Sequence, residues 1–188
     1  MLIVYLDFKS PGAYLAMTPT LALIDRLGLE VDWKPFQTIE RDIPKLGKEE
    51  TVGESHRRVR AASQRALAIK YAAHQGIELR FPKQPGVTNL ALGVLAEIVG
   101  DPLPFIRGAF NAYWEVRANL NDLAVVHALL QESGVAYRGS LSAAHEALDV
   151  AQAQAEHAGI VGAPAYMIEE QIFVGREHLP WIEEIATS

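Results

Sequence analysis

The chain has no cysteine. That excludes disulfides, thiolate nucleophiles and cysteine-ligated metal sites, so any thiol chemistry must use a thiol supplied from outside. Long hydrophobic runs are also missing. No stretch approaches the roughly 18 uncharged apolar residues of a membrane helix. The opening MLIVYLDFKSPGAYLA has no basic start, and Asp7 interrupts its short apolar run, so it does not read as a signal peptide. A soluble, cytoplasmic protein without membrane partners is expected. Positive charge is scarce: 17 Lys and Arg face 23 Asp and Glu, a net charge of −6, which argues against a nucleic-acid surface. Neither a G-x-G-x-x-G nor a GxxxxGK[ST] run occurs, so nucleotide binding has no motif behind it, and no GxSxG marks a nucleophile elbow. The six histidines show no HxxxH or similar pairing, and no metal is expected.

What remains is an ordinary globular composition, 49% apolar and 21% charged over 188 residues, enough for one domain or one domain with a large insertion. Leu2 to Asp7 is an apolar, β-forming run and reads as a buried strand. A helix follows, with Ser10 as N-cap, Pro11 as first helical residue and Gly28 as terminator. Pro19 inside it predicts a kink or a restart. Leu29 to Phe36 alternates as a second strand. From Glu54 to Ser133 there is almost no strand signal: helices are predicted over 57–74, 89–99, 104–117 and 122–133. A further helix is predicted over 142–157, a hairpin from Ala165–Ile168 and Gln171–Val174 around Glu169-Glu170, and a closing helix over 177–186. With the helical block removed the order is βαβ-αββα, that of the thioredoxin fold. The fold class is therefore α/β: a thioredoxin-like domain over 1–36 and 142–188, interrupted by an all-helical insertion over 37–141.

Two places can carry chemistry. Ser10-Pro11-Gly12-Ala13 opens the first helix, where unpaired N–H groups and the helix dipole favour an anion. Redox thioredoxins place CxxC there. This chain offers a hydroxyl, which either caps the helix or donates to a thiolate carried by a ligand. The second place is Gly162-Ala163-Pro164, just before the third strand. The thioredoxin fold puts a cis-proline at this point, opposite the helix start, which leaves the N–H and C=O of Ala163 for an extended peptide ligand. The basic run HRRVR at 56–60 suits either a solvated helix face or a ligand with several carboxylates. Tyr113 and Trp114, at helical spacing, read as core more readily than as pocket.

FKSPGAYLA resembles the SPxSYLA segment of the 2-hydroxychromene-2-carboxylate isomerase and kappa-class glutathione transferase family. VDWKPF, AYWEVRANLND and GIVGAPAYMIEEQIFVGREHLPWIEE are similar to other segments of that family, so the resemblance spans the chain. It implies a dimeric, glutathione-binding enzyme, with Ser10 as the catalytic residue that stabilises the glutathione thiolate. It implies that Ala163 and Pro164 orient the tripeptide. Glu177 would hold its amino end, in a run Gly175-Arg176-Glu177-His178 that stands where the family commonly reads G-x-D-R, and Arg176 is counted with it. Arg60, with Arg57 and Arg58 close by, falls nearest the slot of a glutathione-binding lysine. TIERDIPKLGKEETVGES departs from the family's usual loop. The function implied is a glutathione-dependent isomerase acting on a small aromatic or carboxylate-bearing compound. The alternatives are a kappa-like transferase with another electrophile and a non-catalytic thioredoxin-fold binding protein.

Overall fold

A computed structural model describes residues 1–39, 51–84 and 86–188. The departing loop at 38–55 lies largely outside them. The chain divides into two compact units, one of residues 1–38 and 81–188, the other of residues 39–80.

The first unit is built on a four-stranded sheet, ordered β2-β1-β5-β6. Strand β1 (Leu2–Leu6) lies parallel to β2 (Val31–Pro35), with Leu2 opposite Val31 and Leu6 opposite Pro35. It lies antiparallel to β5 (Ala165–Ile168), with Tyr5 opposite Ala165. A strand flanked on both sides and covered on both faces needs apolar residues throughout, and LIVYL supplies them. Strand β6 (Gln171–Val174) completes a hairpin with β5. Its turn residues Glu169 and Glu170 both have positive φ, 48° and 65°, the handedness that matches strand twist in a two-residue hairpin.

Helix α1 (Pro11–Leu27) joins β1 to β2. Ser10 caps it, its Oγ accepting from Ala13 N at 3.2 Å, and Gly28 ends it in the left-handed region. The helix runs through Pro19 without a restart, one of the two outcomes the proline predicts. Side chains alternate across the sheet. On one face Tyr5 and Ala165 pack with Phe36, Ile160 and Ala155 of helix α6 (Ala144–His157). On the other, Tyr166 reaches Thr20 of α1. Helix α7 (Leu179–Ala186) follows a single 3₁₀ turn, Arg176–His178, and packs against α1.

The helical block is not set apart as the sequence suggested. Helices α3 (Asn89–Ala96), α4 (Leu103–Asn111) and α5 (Leu123–Ser133) belong to the same unit as the sheet. The reason is α3: Leu90 through Leu95 are all buried, and it packs against α6 and β2. The predicted helix 89–99 stops early because Ile98–Val99 forms a two-residue strand, β3, paired with Ala136–Tyr137, β4. The predicted helix 104–117 changes pitch at its end, Ala112–Val116 being a π-helical turn closed by Arg117 at φ 67°. In the second unit, α2 (Val52–His74) starts earlier than expected. Thr51 and Glu54 form a reciprocal capping box there.

Candidate functional site

The start of α1 and the start of β5 meet. The Ala163–Pro164 peptide is cis, as the element order predicts, and Pro164 is buried. The Ser10 hydroxyl donates to Ala163 O at 2.9 Å while its oxygen accepts from Ala13 N. One side chain thus caps the helix and bridges to the backbone before the proline, across 153 positions of sequence. From sequence, both backbone groups of Ala163 were expected to be open to a ligand. The carbonyl instead already holds Ser10, and the N–H has no partner among the described residues. Gly12 lets the two segments approach closely: a Cβ on it would stand 3.2 Å from Pro164 Cδ, a tight contact, and 3.6 Å from Ser10 Oγ.

The third element is the turn after β6. Gly175 N donates to Pro164 O at 2.9 Å, which seats the turn beside the cis-proline. Gly175 has φ 106°, a conformation that strains any other residue, and the Glu177 carboxylate lies over it. Glu177 is exposed. Arg176 points inward, its Nη1 donating to Leu15 O of α1 at 3.2 Å. Ser10, Ala163, Pro164, Arg176 and Glu177 are therefore brought to one end of the sheet. Arg60 lies on the exposed face of α2 in the second unit.

Asp7, which in the sequence only breaks an apolar run, holds the turn before Ser10. It is 0% exposed and accepts from Thr38 N (2.8 Å), Thr38 Oγ1 (2.5 Å), Thr88 Oγ1 (3.0 Å) and Lys9 N (3.2 Å). Its own carbonyl takes the Ser10 N–H at 3.0 Å. The signal was present: an acidic residue at the end of a buried strand, three positions before the helix cap, needs donors to be tolerated.

Aromatic residues close over α1. Tyr14, one turn past Ser10, stacks on Trp114 (centroids 5.5 Å apart, planes at 13°) and donates to Glu115 at 3.3 Å. Burial, and then the Glu115 carboxylate, raise its hydroxyl pKa. Trp114 Nε1 donates to Phe8 O at 2.9 Å, and the Tyr113 hydroxyl accepts from Gly86 N at 3.0 Å. Both rings are buried, in line with the core reading. The π-helical turn is what aims Trp114 and Glu115 at α1. An open groove of about 430 Å³ runs along α6, lined by Glu97, Glu146 and Val150 among others. It touches none of these residues, and the convergent polar groups lie at the α1 end instead.

Among the described residues no group of three or more His, Asp or Glu is placed to hold a metal ion, and no helix is long and apolar enough to cross a membrane.

Tyr166 provides a check on the packing beneath the site. Its buried hydroxyl meets Thr20 Oγ1 at 2.8 Å, and burial pushes its pKa up from 10.0 to about 12. The folded state therefore keeps a proton that the unfolded chain releases. Stability from this group is complete below pH 10 and is lost as pH rises toward 12, by an amount on the order of 2–3 kcal/mol. Urea unfolding across that window is expected to fall steeply in the wild type and less steeply in Tyr166→Phe. Equal slopes would show that Tyr166 ionises freely.

A family model for the DSBA-like thioredoxin domain matches residues 1–185. The chain is 25% identical to a 2-hydroxychromene-2-carboxylate isomerase of Sphingobium xenophagum over 187 residues, which is 95% of this chain and 94% of that one. A solved structure of a 2-hydroxychromene-2-carboxylate isomerase superposes with TM-score 0.65 at 18% identity, covering 97% of this chain and 92% of the other. A structure described as a probable DsbA oxidoreductase from Streptomyces coelicolor superposes with TM-score 0.66 at 13% identity, covering 99% and 88%.

Proposed function

Because the chain belongs to the DSBA-like thioredoxin-domain family and yet has no cysteine, we propose that it is an enzyme that borrows its thiol. It binds glutathione between the start of α1 and the cis-proline, and isomerises a small aromatic, carboxylate-bearing compound. Its relatives are named as isomerases and oxidoreductases. Dithiol–disulfide exchange needs cysteines that this chain lacks, and that favours the isomerase branch.

The observation that carries the proposal is the hydrogen bond from Ser10 Oγ to Ala163 O. It sets a hydroxyl at a helix N-terminus directly beside backbone that can accept an added strand. The residues fit a γ-glutamyl-cysteinyl-glycine ligand. The Ala163 N–H has no partner among the described residues, Gly12 leaves the space a side chain would fill, and the exposed Glu177 carboxylate suits an ammonium group. Glutathione, when bound, supplies a nucleophilic thiolate that can add reversibly to a conjugated substrate and leave unchanged.

The protein's own task is to hold that thiol near the reacting carbon and to favour its charged form. Ser10 and the first turn of α1 do the second. The Ala163 carbonyl that Ser10 now occupies is also the acceptor that an added peptide strand needs. The ligand's N–H and the Ser10 hydroxyl therefore compete for one atom, which couples ligand docking to release of the hydroxyl toward the thiol. Tyr14, stacked on Trp114 beside Ser10, offers an aromatic surface to the substrate.

The test is the thiol titration of bound glutathione, read by thiolate absorbance against pH. In wild type the pKa is expected to fall by about one unit or more from the ordinary thiol value near 8.5, each unit being about 1.4 kcal/mol. Ser10→Ala is expected to reverse most of that shift and to lower turnover with it, at a stability cost of about 1 kcal/mol for the lost cap. Identical titrations in the two proteins would remove Ser10 from catalysis. They would favour a binding protein in which Ser10 only caps α1 and ties it to Ala163, a role its present hydrogen bonds already fill.

A further inference from the structure

Pro19 lies in the middle of α1. A proline has no N–H, so Leu15 O, four residues earlier, loses the donor that a regular helix would give it, and the ring pushes that carbonyl outward. A carbonyl in this position needs another partner. Arg176 Nη1 reaches it at 3.2 Å, from 161 positions away in sequence.

The two neighbouring contacts converge on the same part of the helix. Thr20, next to Pro19, bonds the buried hydroxyl of Tyr166, two residues past Pro164. Gly175, next to Arg176, bonds Pro164 O. The stretch of α1 around Pro19 is thus where β5 and the turn after β6 are both fastened to the helix that begins at Ser10.

We propose that Arg176 is a positioning residue. Its guanidinium supplies the donor that Pro19 withholds from Leu15, and so holds the Gly175–Glu177 turn in register with the Ser10 end of α1. Only the consequence for ligand affinity rests on the glutathione reading. The clamp itself does not. In this role Arg176 serves the proposed ligand site through the turn that carries Glu177. A guanidinium suits the task because it stays charged and carries several donors in a fixed plane.

The experiment is a double-mutant cycle over Pro19→Ala and Arg176→Ala, read by urea unfolding and by amide hydrogen exchange at Gly175 and His178. Pro19→Ala restores the helical N–H to Leu15 O. Arg176→Ala should therefore lower the urea midpoint when Pro19 is present and leave it nearly unchanged when it is combined with Pro19→Ala. Exchange at 175 and 178 should rise about tenfold or more with Arg176→Ala in both backgrounds, because the helix donor repairs the helix and not the turn. Arg176→Lys, which keeps a charged donor, should retain much of the protection. An equal midpoint loss in both backgrounds, or unchanged exchange in the turn, would overturn the clamp. With glutathione as probe, Kd should rise about tenfold in both Arg176→Ala proteins while the pKa of the bound thiol stays at the wild-type value. If wild type has no affinity for glutathione, the proposed function fails, and unfolding and exchange still decide the role of Arg176.

Discussion

Asp7→Ala is expected to lower the unfolding free energy by about 3–5 kcal/mol. The carboxylate is fully buried and accepts four hydrogen bonds. Alanine strands two backbone N–H groups, on Lys9 and Thr38, each worth about 1–3 kcal/mol when left unpaired. The hydroxyls of Thr38 and Thr88 can turn to other acceptors and lose less, and the small cavity adds a little. Removing the charge also ends its desolvation cost, which keeps the total in single figures. For a chain of this size each kcal/mol moves Tm by about 2–4 °C, so thermal unfolding should fall by roughly 10 °C. Urea denaturation followed by tryptophan fluorescence measures the same loss, and a change under about 1 kcal/mol would show that Asp7 is not the tie described above. The same variant bears on catalysis, because Asp7 O takes the Ser10 N–H and the three segments joined at Asp7 set where α1 begins.

Gly93→Ala should cost about 3 kcal/mol or more, although it is a change toward the best helix former. Helix propensity alone would stabilise α3 by about 1 kcal/mol. A Cβ at position 93, however, would overlap Ala144 O and sit 2.5 Å from Ala144 C. Those are backbone atoms at the start of α6, so no rotamer change relieves the contact. The two helices would have to separate at a contact set within buried surroundings, Leu90 through Leu95 in α3 and Leu148 in α6. Overpacking of this kind outweighs the propensity gain. Circular dichroism with urea titration reads the result, and a neutral or stabilised protein would mean that α3 and α6 are further apart than described.

The parts of the structure legible in the sequence were those dictated by local chemistry. Ser10-Pro11 before an apolar helix can be read as a cap, and a proline directly before a strand, within a βαβ-αββα order, can be read as the cis site. The Glu169-Glu170 hairpin followed from two short β-forming runs with two polar residues between them. Thr51-Val52-Gly53-Glu54 is a capping signature in plain view, and it moves the start of α2 earlier than apolar spacing alone indicated. Features that depend on partners distant in sequence were not legible. Strands β3 and β4 are two residues each and exist only because Ile98 and Tyr137 face one another. The π-helical turn at 112–116 carries Trp114 to Phe8 O, a partner 106 positions away. Pro19 predicts a kink or a restart, and the partner its missing N–H leaves room for, Arg176 on Leu15 O, comes from 161 positions away. The grouping of α3 with the sheet rests on a close approach that glycine permits but does not announce.

The position of β1 in the sheet also governs how the molecule comes into being. LIVYL is the second strand from the sheet's β2 edge, and its Tyr5 pairs with Ala165, 160 positions later. At about 5–20 residues per second of synthesis, the ribosome needs on the order of 8–30 s between the two. Through that interval one long side of β1 has no ladder partner, and Ser10 has no Ala163 to hold. The parallel β1-α1-β2 unit can assemble early, as a half-finished sheet. Closure of the sheet and completion of the site then coincide, once β5 has been made, so a chain truncated before β5 would carry an open apolar strand and none of the groove proposed to bind the thiol.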